Sequence, residues 1–407
     1  MIPFSPPHID EDIIQEVVAA LRSGWITTGP RTKQFEKMLT GFNRNKSTLC
    51  VNSATAGLEL VLRWFGVGVG DEVIIPAYTY CATANVVLHC GAVPVMVDIV
   101  PETFNIDTKQ IVAKITERTK VIIPVDIGGY PADYDEINAI VSSAEVMKLF
   151  KPQNSVQEKL QRILVMADAA HSLGALYKSR PTGTMCDITV FSFHAVKNLT
   201  TAEGGAIAFN LPEPFDCEEV YRYFNILSLH GQSKDALAKM QGKASWRYDV
   251  LMPGYKCNMT DIQAAIGIVE LSRYRDKILE RRKAIFEFYF NAFKEFTWAM
   301  LPVFDDGSSK SSYHVFLLRI AGFEETQRDR MIEEIFNRDV AVNVHFQPLP
   351  LLSVYKKLGY AMSNFPNAYS NYKCEISLPV YYDLTHEMCQ TVVTAVIEAY
   401  MSVSCNK

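Results

Sequence analysis

The sequence predicts an α/β fold: a mostly parallel sheet of seven strands followed by a smaller C-terminal α/β unit. Three observations carry this. Seven short β-rich runs alternate with helical patterns between about residues 49 and 210, the pattern of a parallel sheet with crossover helices. Beyond about residue 262 the pattern becomes helical through "AAIGIVELSRYRDKILERRKAIFEFYFNAF" before short strands return. Finally, 407 residues exceed what one simple core holds, so the chain divides into a large domain over 1–265 and a small one over 266–407.

The elements follow in order. The start, "MIPFSPPHIDEDII", has no basic stretch leading into an apolar one, and no later run is long enough to span a bilayer, so a cytoplasmic protein without membrane partners is expected. The predicted strands are "TLCV" (48–51), "EVIIP" (72–76), "VPVMVD" (93–98), "VIIPVD" (121–126), "ILVMAD" (163–168), "DITVFSF" (187–193) and "GAIAF" (205–209). Between the first two, Ser53 can cap a helix whose apolar Leu58, Val61, Leu62 and Phe65 share one face. The polar stretch 142–163 reads as a helical surface insertion before a core strand. In the C-terminal part "YHVFLLRI" and "AVNVHF" read as strands, and a closing helix is expected near 385–402.

Composition narrows the function classes. Hydrophobic residues at 48% and charged residues at 21% are those of an ordinary globular protein. A net charge of −5 leaves no basic footprint for nucleic acid. Nine scattered cysteines without a C-x-x-C pair suit reduced thiols, not a disulfide framework or a metal site.

Ligands of open α/β sheets bind beyond the carboxyl ends of the strands, and four polar clusters fall there. They are Asn52 to Ala56, Ala77 to Tyr80, Asp168 to His171, and Ser192 to Lys197. Lys197 follows "FSFHA"; it is either a rim lysine reaching water or an amine made nucleophilic by low-dielectric surroundings. Asp168 ends a buried strand with no base near it in sequence, as a turn cap or as the partner of a protonated ring nitrogen. A lysine Schiff base with an acidic partner for a pyridinium nitrogen is how pyridoxal phosphate is held. "NSATAG" offers helix-start N–H groups and the Ser53 and Thr55 hydroxyls as a phosphate cradle, although any capped helix resembles it. Ser192 is a further hydroxyl or simply a strand serine, Tyr80 stacks on a flat ring or packs, and His171 is a core histidine or a neighbour of the same ring. The coincidence of all of these on one rim favours the cofactor reading.

The segments "SGWITTGP" (23–30), "NSATAGLEL" (52–60), "GDEVIIPAYTYCATANVVLHCGAVPVMVDI" (70–99), "DAAHSLGA" (168–175), "FSFHAVKNLTTAEGGAIAF" (191–209), "GYKCNMTDIQAAIG" (254–267) and "VHFQPL" (344–349) resemble the DegT-type nucleotide-sugar aminotransferases. Within them the similarity is greatest to the UDP-4-amino-4-deoxy-L-arabinose oxoglutarate aminotransferases. The resemblance implies the aspartate aminotransferase type I fold, a homodimer with shared active sites, and pyridoxal 5'-phosphate as cofactor. It implies that Lys197 carries the Schiff base, Asp168 pairs with the pyridine nitrogen, Tyr80 stacks on the ring and His171 approaches the ring hydroxyl. Ala54, Thr55 and Ser192 would hold the phosphate, and Lys256 would reach the phosphate of the neighbouring subunit.

Three positions depart from the pattern, the first being Lys256, where many relatives have asparagine although the arabinose-type relatives share the lysine. The other two are Asp126, where a histidine is frequent, and Pro350, where a second histidine follows "VHF-x-P-L". Both bear on the choice of substrate. The expected reaction moves the amino group of L-glutamate, leaving 2-oxoglutarate, to a keto-sugar linked to a nucleoside diphosphate, a 4-keto sugar for cell-surface glycan synthesis. The alternatives are a regulatory module on the same fold and another pyridoxal phosphate enzyme.

Overall fold

The structure is a computed structural model that describes residues 1–233 and 247–404. After two helices, α1 (Glu11–Arg22) and α2 (Pro30–Asn43), the chain enters the large sheet. Its strands are β1 (Ser47–Val51), β2 (Glu72–Pro76), β3 (Val93–Val97), β4 (Thr119–Ile122), β5 (Leu164–Asp168), β8 (Ile188–Ser192) and β9 (Gly205–Phe209), with a small ribbon of β6 (Leu176–Tyr177) and β7 (Arg180–Pro181) between the fifth and sixth. The order across the sheet is β1-β9-β8-β5-β4-β2-β3. All neighbours run parallel except β9, which is antiparallel to both β1 and β8.

Alternation along the strands separates two apolar layers. Ile188 and Val190 of β8 and Ile207 and Phe209 of β9 face the layer that holds α3 (Ala54–Trp64) and α4 (Cys81–His89). Phe191, Ala206 and Ala208 face the other, with Phe35 and Leu39 of α2 and Leu271 and Tyr274 of a later helix. Ser53 caps α3 by accepting from Ala56 N at 3.1 Å, and Leu58, Val61, Leu62 and Phe65 are all buried, as the sequence predicts.

A continuous helical rod joins the two parts: Asp261–Arg273, a π turn over Tyr274–Leu279, then Glu280–Phe293. Tyr274 and Ile278 still pack on the large sheet, whereas Ile285, Phe286, Tyr289 and Phe293 enter a second core. That core lies on an antiparallel sheet of β10 (Ala299–Met300), β11 (Phe316–Ile320) and β12 (Glu375–Leu378), and on the helices Glu325–Phe336 and His386–Ser404. Ile2 belongs to it as well, bridged to Val340.

Three local expectations change. "AVNVHF" is not a strand: it makes one bridge, Asn343 to Ser377, because the His345 N–H is taken at 3.0 Å by the Glu375 side chain instead of a ladder partner. The edge strand β12, which pairs with the central β11, is absent from the predicted strands. The 142–163 stretch is helical and mostly exposed, as expected, but it is anchored as well: its helices Ala144–Leu149 and Ser155–Leu160 bury Val146, Leu160 and Gln157, and Gln157 donates to Phe65 O at 2.7 Å. The eight described cysteines are free thiols, and Cys405 lies outside the described residues. Among the described residues no helix is long and apolar enough to cross a membrane.

Candidate active site

The reversed strand β9 builds the centre of the site. Because Ser192 pairs with Gly205, the β8–β9 connection leaves and re-enters the sheet at the rim where the parallel strands end. The loop 193–204 is held over that rim by Phe193 N donating to Gly204 O at 2.8 Å, Thr201 N to Phe193 O at 2.9 Å, and Asn198 Nδ2 to Ser312 O at 2.7 Å. Lys197 sits at its apex, where its own N–H donates to His194 O at 2.9 Å. The Lys197 amine has no hydrogen-bond partner among the described residues. Burial lowers its pKa to about 8, against the opposing pull of the Asp168 carboxylate.

Asp168 closes β5 at the floor. Thr83 Oγ1 donates to its Oδ2 at 2.8 Å and Ala170 N to its Oδ1 at 3.3 Å, yet burial outweighs these bonds and the Lys197 charge, and its pKa is raised. Such a carboxylate gains by meeting a cation. His171 is also buried, and its Nδ1 has no partner among the described residues. Burial, with Lys197 adding to it, holds its pKa well below the ordinary histidine range, so the ring is neutral. Tyr80, 60% exposed at the start of α4, lies 5.8 Å from the Phe346 ring. Ser192 is half-buried at the end of β8.

The first turn of α3 approaches the start of β9 very closely. A Cβ on Gly205 would come within 2.5 Å of Ala54 N and 2.6 Å of Ser53 C, so only glycine admits this approach. The Ser53 hydroxyl and carbonyl take the N–H groups of Ala56 and Gly57, and the Ala54 and Thr55 N–H groups are left without partners among the described residues.

Ala54, Thr55, Tyr80, Asp168, His171, Ser192 and Lys197 all line one cavity of about 400 Å³. Lys256 does not. It is exposed on the neighbouring chain segment, its amine bonded to Asn258 Oδ1, while Cys257 O accepts from Asn52 N at 2.7 Å beside the start of α3. Asp126 and Pro350 do not line the cavity either. Asp126 is fully buried, taking bonds from Ala132 N, Tyr134 Oη and Ser172 Oγ at 2.9, 2.7 and 2.5 Å, and burial raises its pKa to about 6. Pro350 is buried in a short turn of helix.

The cavity has walls that strand-end reasoning did not find: Phe4, His314, His345 and Phe346. His314 Nδ1 lies 2.7 Å from Asn198 Oδ1, and its ring is 4.3 Å from that of His171. His345 and Phe346 stand in "VHF", the signal that marks them. His314 stands in "YHVF", where a histidine inside an apolar strand pattern was the available clue.

The family model described as the DegT/DnrJ/EryC1/StrS aminotransferase family matches residues 7–151 and 154–397. The spore coat polysaccharide biosynthesis protein SpsC of Bacillus subtilis is 38% identical over 401 residues, 97% of this chain and 96% of its own. Spr1654 of Streptococcus pneumoniae, assigned as a sugar aminotransferase, matches in its PMP-form with TM-score 0.95 and 46% identity over 99% of this chain and 100% of that one. Its PLP-form matches with TM-score 0.93 and 44% identity over 99% of each chain. PseC of Helicobacter pylori, an aminotransferase involved in the biosynthesis of pseudoaminic acid, matches with TM-score 0.84 and 27% identity over 98% of this chain and 99% of that one.

The cavity fits pyridoxal phosphate on three counts. The unpartnered Lys197 amine suits an aldehyde, the raised Asp168 and the orphaned His171 Nδ1 suit the polar edge of a pyridine ring, and the bare N–H groups of Ala54 and Thr55 suit a phosphate.

Proposed function

This chain belongs to the DegT/DnrJ/EryC1/StrS aminotransferase family, a family of fold type I enzymes that use pyridoxal phosphate, and from that premise we propose that it aminates a nucleotide-linked keto-sugar. The donor is L-glutamate, the acceptor a 4-keto sugar on a nucleoside diphosphate, and the product serves cell-surface polysaccharide or glycan synthesis in the cytoplasm. The names of SpsC and PseC support that direction. The observation that carries the proposal is the Lys197 amine, its pKa lowered to about 8 and without a hydrogen-bond partner among the described residues, in a cavity floored by Asp168.

Pyridoxal phosphate supplies an electron sink that acidifies the α-carbon of a bound amino acid. This chain's residues do the rest. Lys197 Nζ, with its lowered pKa, would take the proton from that carbon and deliver it to the carbon that was the cofactor's aldehyde, which an ammonium fixed near its ordinary 10.5 does far less readily. Asp168 keeps a proton on the ring nitrogen, Thr83 orients the carboxylate, and neutral His171 lies at the ring edge. The Ala54 and Thr55 N–H groups and the Ser192 hydroxyl hold the phosphate, and Tyr80 covers the ring face. In a homodimer, Lys256 adds its charge to the phosphate of the other subunit.

The test is a pair of half-reactions read from the cofactor's absorbance. L-glutamate should convert the loaded protein from its yellow form, and a uridine-diphosphate 4-ketohexose should convert it back. A protein that responds to neither overturns the reading; one that responds to glutamate but only to free keto acids overturns the sugar.

A further inference from the structure

The wall of the cavity that carries His345 continues into a buried chain of hydrogen-bonding groups that the proposed chemistry does not use. His345 Nδ1 lies 2.9 Å from Ser377 Oγ, and Ser377 Oγ lies 2.6 Å from Glu375 Oε1. His345 N donates to Glu375 Oε2 at 3.0 Å, and Tyr78 Oη donates to His345 O at 2.8 Å. Phe4 stacks on the ring at 5.5 Å. The ring is therefore fixed at both backbone groups, on one face and at Nδ1. Nε2 is its remaining polar atom, and it has no partner among the described residues.

We propose that Glu375, acting through Ser377, sets which nitrogen of His345 carries the proton, and that His345 offers Nε2–H to the carbonyl oxygen of the keto-sugar. Glu375 and Ser377 are positioning residues here, and the proposal rests on the keto-sugar reading above. The logic is one of counting hydrogens, because a single hydroxyl between a carboxyl and an imidazole can donate in only one direction. With Glu375 protonated, its O–H donates to Ser377 Oγ, Ser377 donates to His345 Nδ1, and the ring proton sits on Nε2. With Glu375 ionised, Ser377 donates to the carboxylate, His345 Nδ1–H donates to Ser377, and Nε2 holds a lone pair. Passing between them, the two relay hydrogens each move one place and one proton leaves Nε2 into the cavity. A carbonyl oxygen only accepts, so it binds the first form and is refused by the second.

Charges around the relay favour the first form at neutral pH. Glu375 is fully buried, and burial raises its pKa to about 8 even though Arg328 of the helix Glu325–Phe336 and Arg319 of β11 pull it down. Tyr78, after β2, and Cys374 also face it, and both are neutral there because burial raises their pKa values. The His345 ring stays neutral, its pKa lowered to about 3 by burial and then by Lys197, with neutral His171 and His314 nearby.

The experiment is a histidine-¹⁵N titration of the loaded protein from about pH 6.5 to about pH 9.5, which reads the tautomer directly, with His345→Gln used to assign the signal. Wild type should carry the His345 proton on Nε2 at the lower pH and on Nδ1 at the higher, crossing near the Glu375 value. Glu375→Gln, whose amide mimics the protonated acid and nearly keeps its shape, should hold Nε2–H throughout. Ser377→Ala should remove the dependence on pH. In parallel, KM for a uridine-diphosphate 4-ketohexose should rise about tenfold in wild type across the same range and stay flat in Glu375→Gln. A wild-type ring that keeps one tautomer at both pH values overturns the relay, as does a crossover that survives Ser377→Ala. If the tautomer switches as described but the KM of wild type does not follow, the link to the carbonyl is overturned. Wild type that fails to react with L-glutamate condemns the aminotransferase reading instead, and the titration tells the two failures apart.

Discussion

The floor of the cavity and its C-terminal wall differ in kind. On the floor Asp168 and Ser192 end strands of the large sheet, Ala54 and Lys197 follow strands of it, and the two ionisable groups that face each other, Lys197 and Asp168, have opposite charges and shifted pKa values. On the wall His314 and His345 come from irregular backbone, and burial keeps both rings neutral. Tyr313, next to His314, even has a left-handed φ of 57°, an arrangement a bulky residue keeps only when its surroundings impose it. A floor of charges suits proton transfer and cofactor binding, whereas a neutral wall with fixed hydrogen-bond directions suits the choice of what is brought to it. Floor substitutions should therefore abolish turnover with every substrate, and wall substitutions should discriminate between substrates or pH values.

The largest expected effect is at Lys197. Lys197→Ala should lower turnover on the order of 10³-fold or more while circular dichroism stays that of wild type, and borohydride should no longer fix the cofactor to the 191–209 peptide. Retention of a tenth of the activity would break the contrast at its centre. Asp168→Asn comes next. It should slow the half-reaction with L-glutamate on the order of 10²-fold, and cofactor affinity, measured by equilibrium dialysis, should fall much less. Equal losses in both would reduce the carboxylate to a structural cap.

The same contrast explains how much of the molecule is legible in its sequence. Strands buried on both faces are written as uninterrupted apolar runs, and the residue after each run is placed by the sheet alone, so Asp168 and Lys197 stand out. The reversal of β9 is not legible, since "GAIAF" has the same composition in either direction; yet that reversal is what brings Lys197 back over the rim. The wall is hidden for another reason. His345 and Ser377 are distant in sequence and meet through one isolated bridge and side-chain bonds, and Glu375 looks like a surface acid beginning an ordinary strand. Only the tertiary packing buries it. The role of the 142–163 stretch was missed because its inward groups are few and one of them, Gln157, is polar.

A stability measurement sharpens the contrast from the side of the wall. The Glu375 pKa lies at about 8 in the folded protein, against about 4.5 for the ordinary carboxyl, so between these values the folded state binds more protons than the unfolded one. Stability therefore falls as pH rises through this window, and the penalty is complete above about pH 8. Glu375→Gln removes it. The variant should melt at the wild-type temperature near pH 4.5 and roughly 3 °C above it near pH 8.5. An unchanged difference at both pH values would mean that Glu375 is ionised throughout, and the wall would then be charged like the floor.

The smallest expected effect concerns a cation that belongs to neither region of its own chain. Lys256 is exposed, beside the start of α3 but outside the cavity, and bonded only to Asn258 among the described residues. If its ammonium completes the phosphate site of a second subunit, one charge-assisted bond is lost in Lys256→Ala, and pyridoxal phosphate should bind about tenfold more weakly. That number alone does not say whose phosphate is touched; mixing chains does. Lys197→Ala and Lys256→Ala chains, exchanged in one tube, would in a homodimer give mixed dimers in which one site combines an intact Lys197 with an intact Lys256 from the other chain, while the opposite site lacks both. At limiting cofactor the mixture should be more active than either variant alone. With exchange verified by native mass spectrometry, an additive mixture would mean that each lysine serves its own chain, and the charge on the floor would then be supplied from within one subunit.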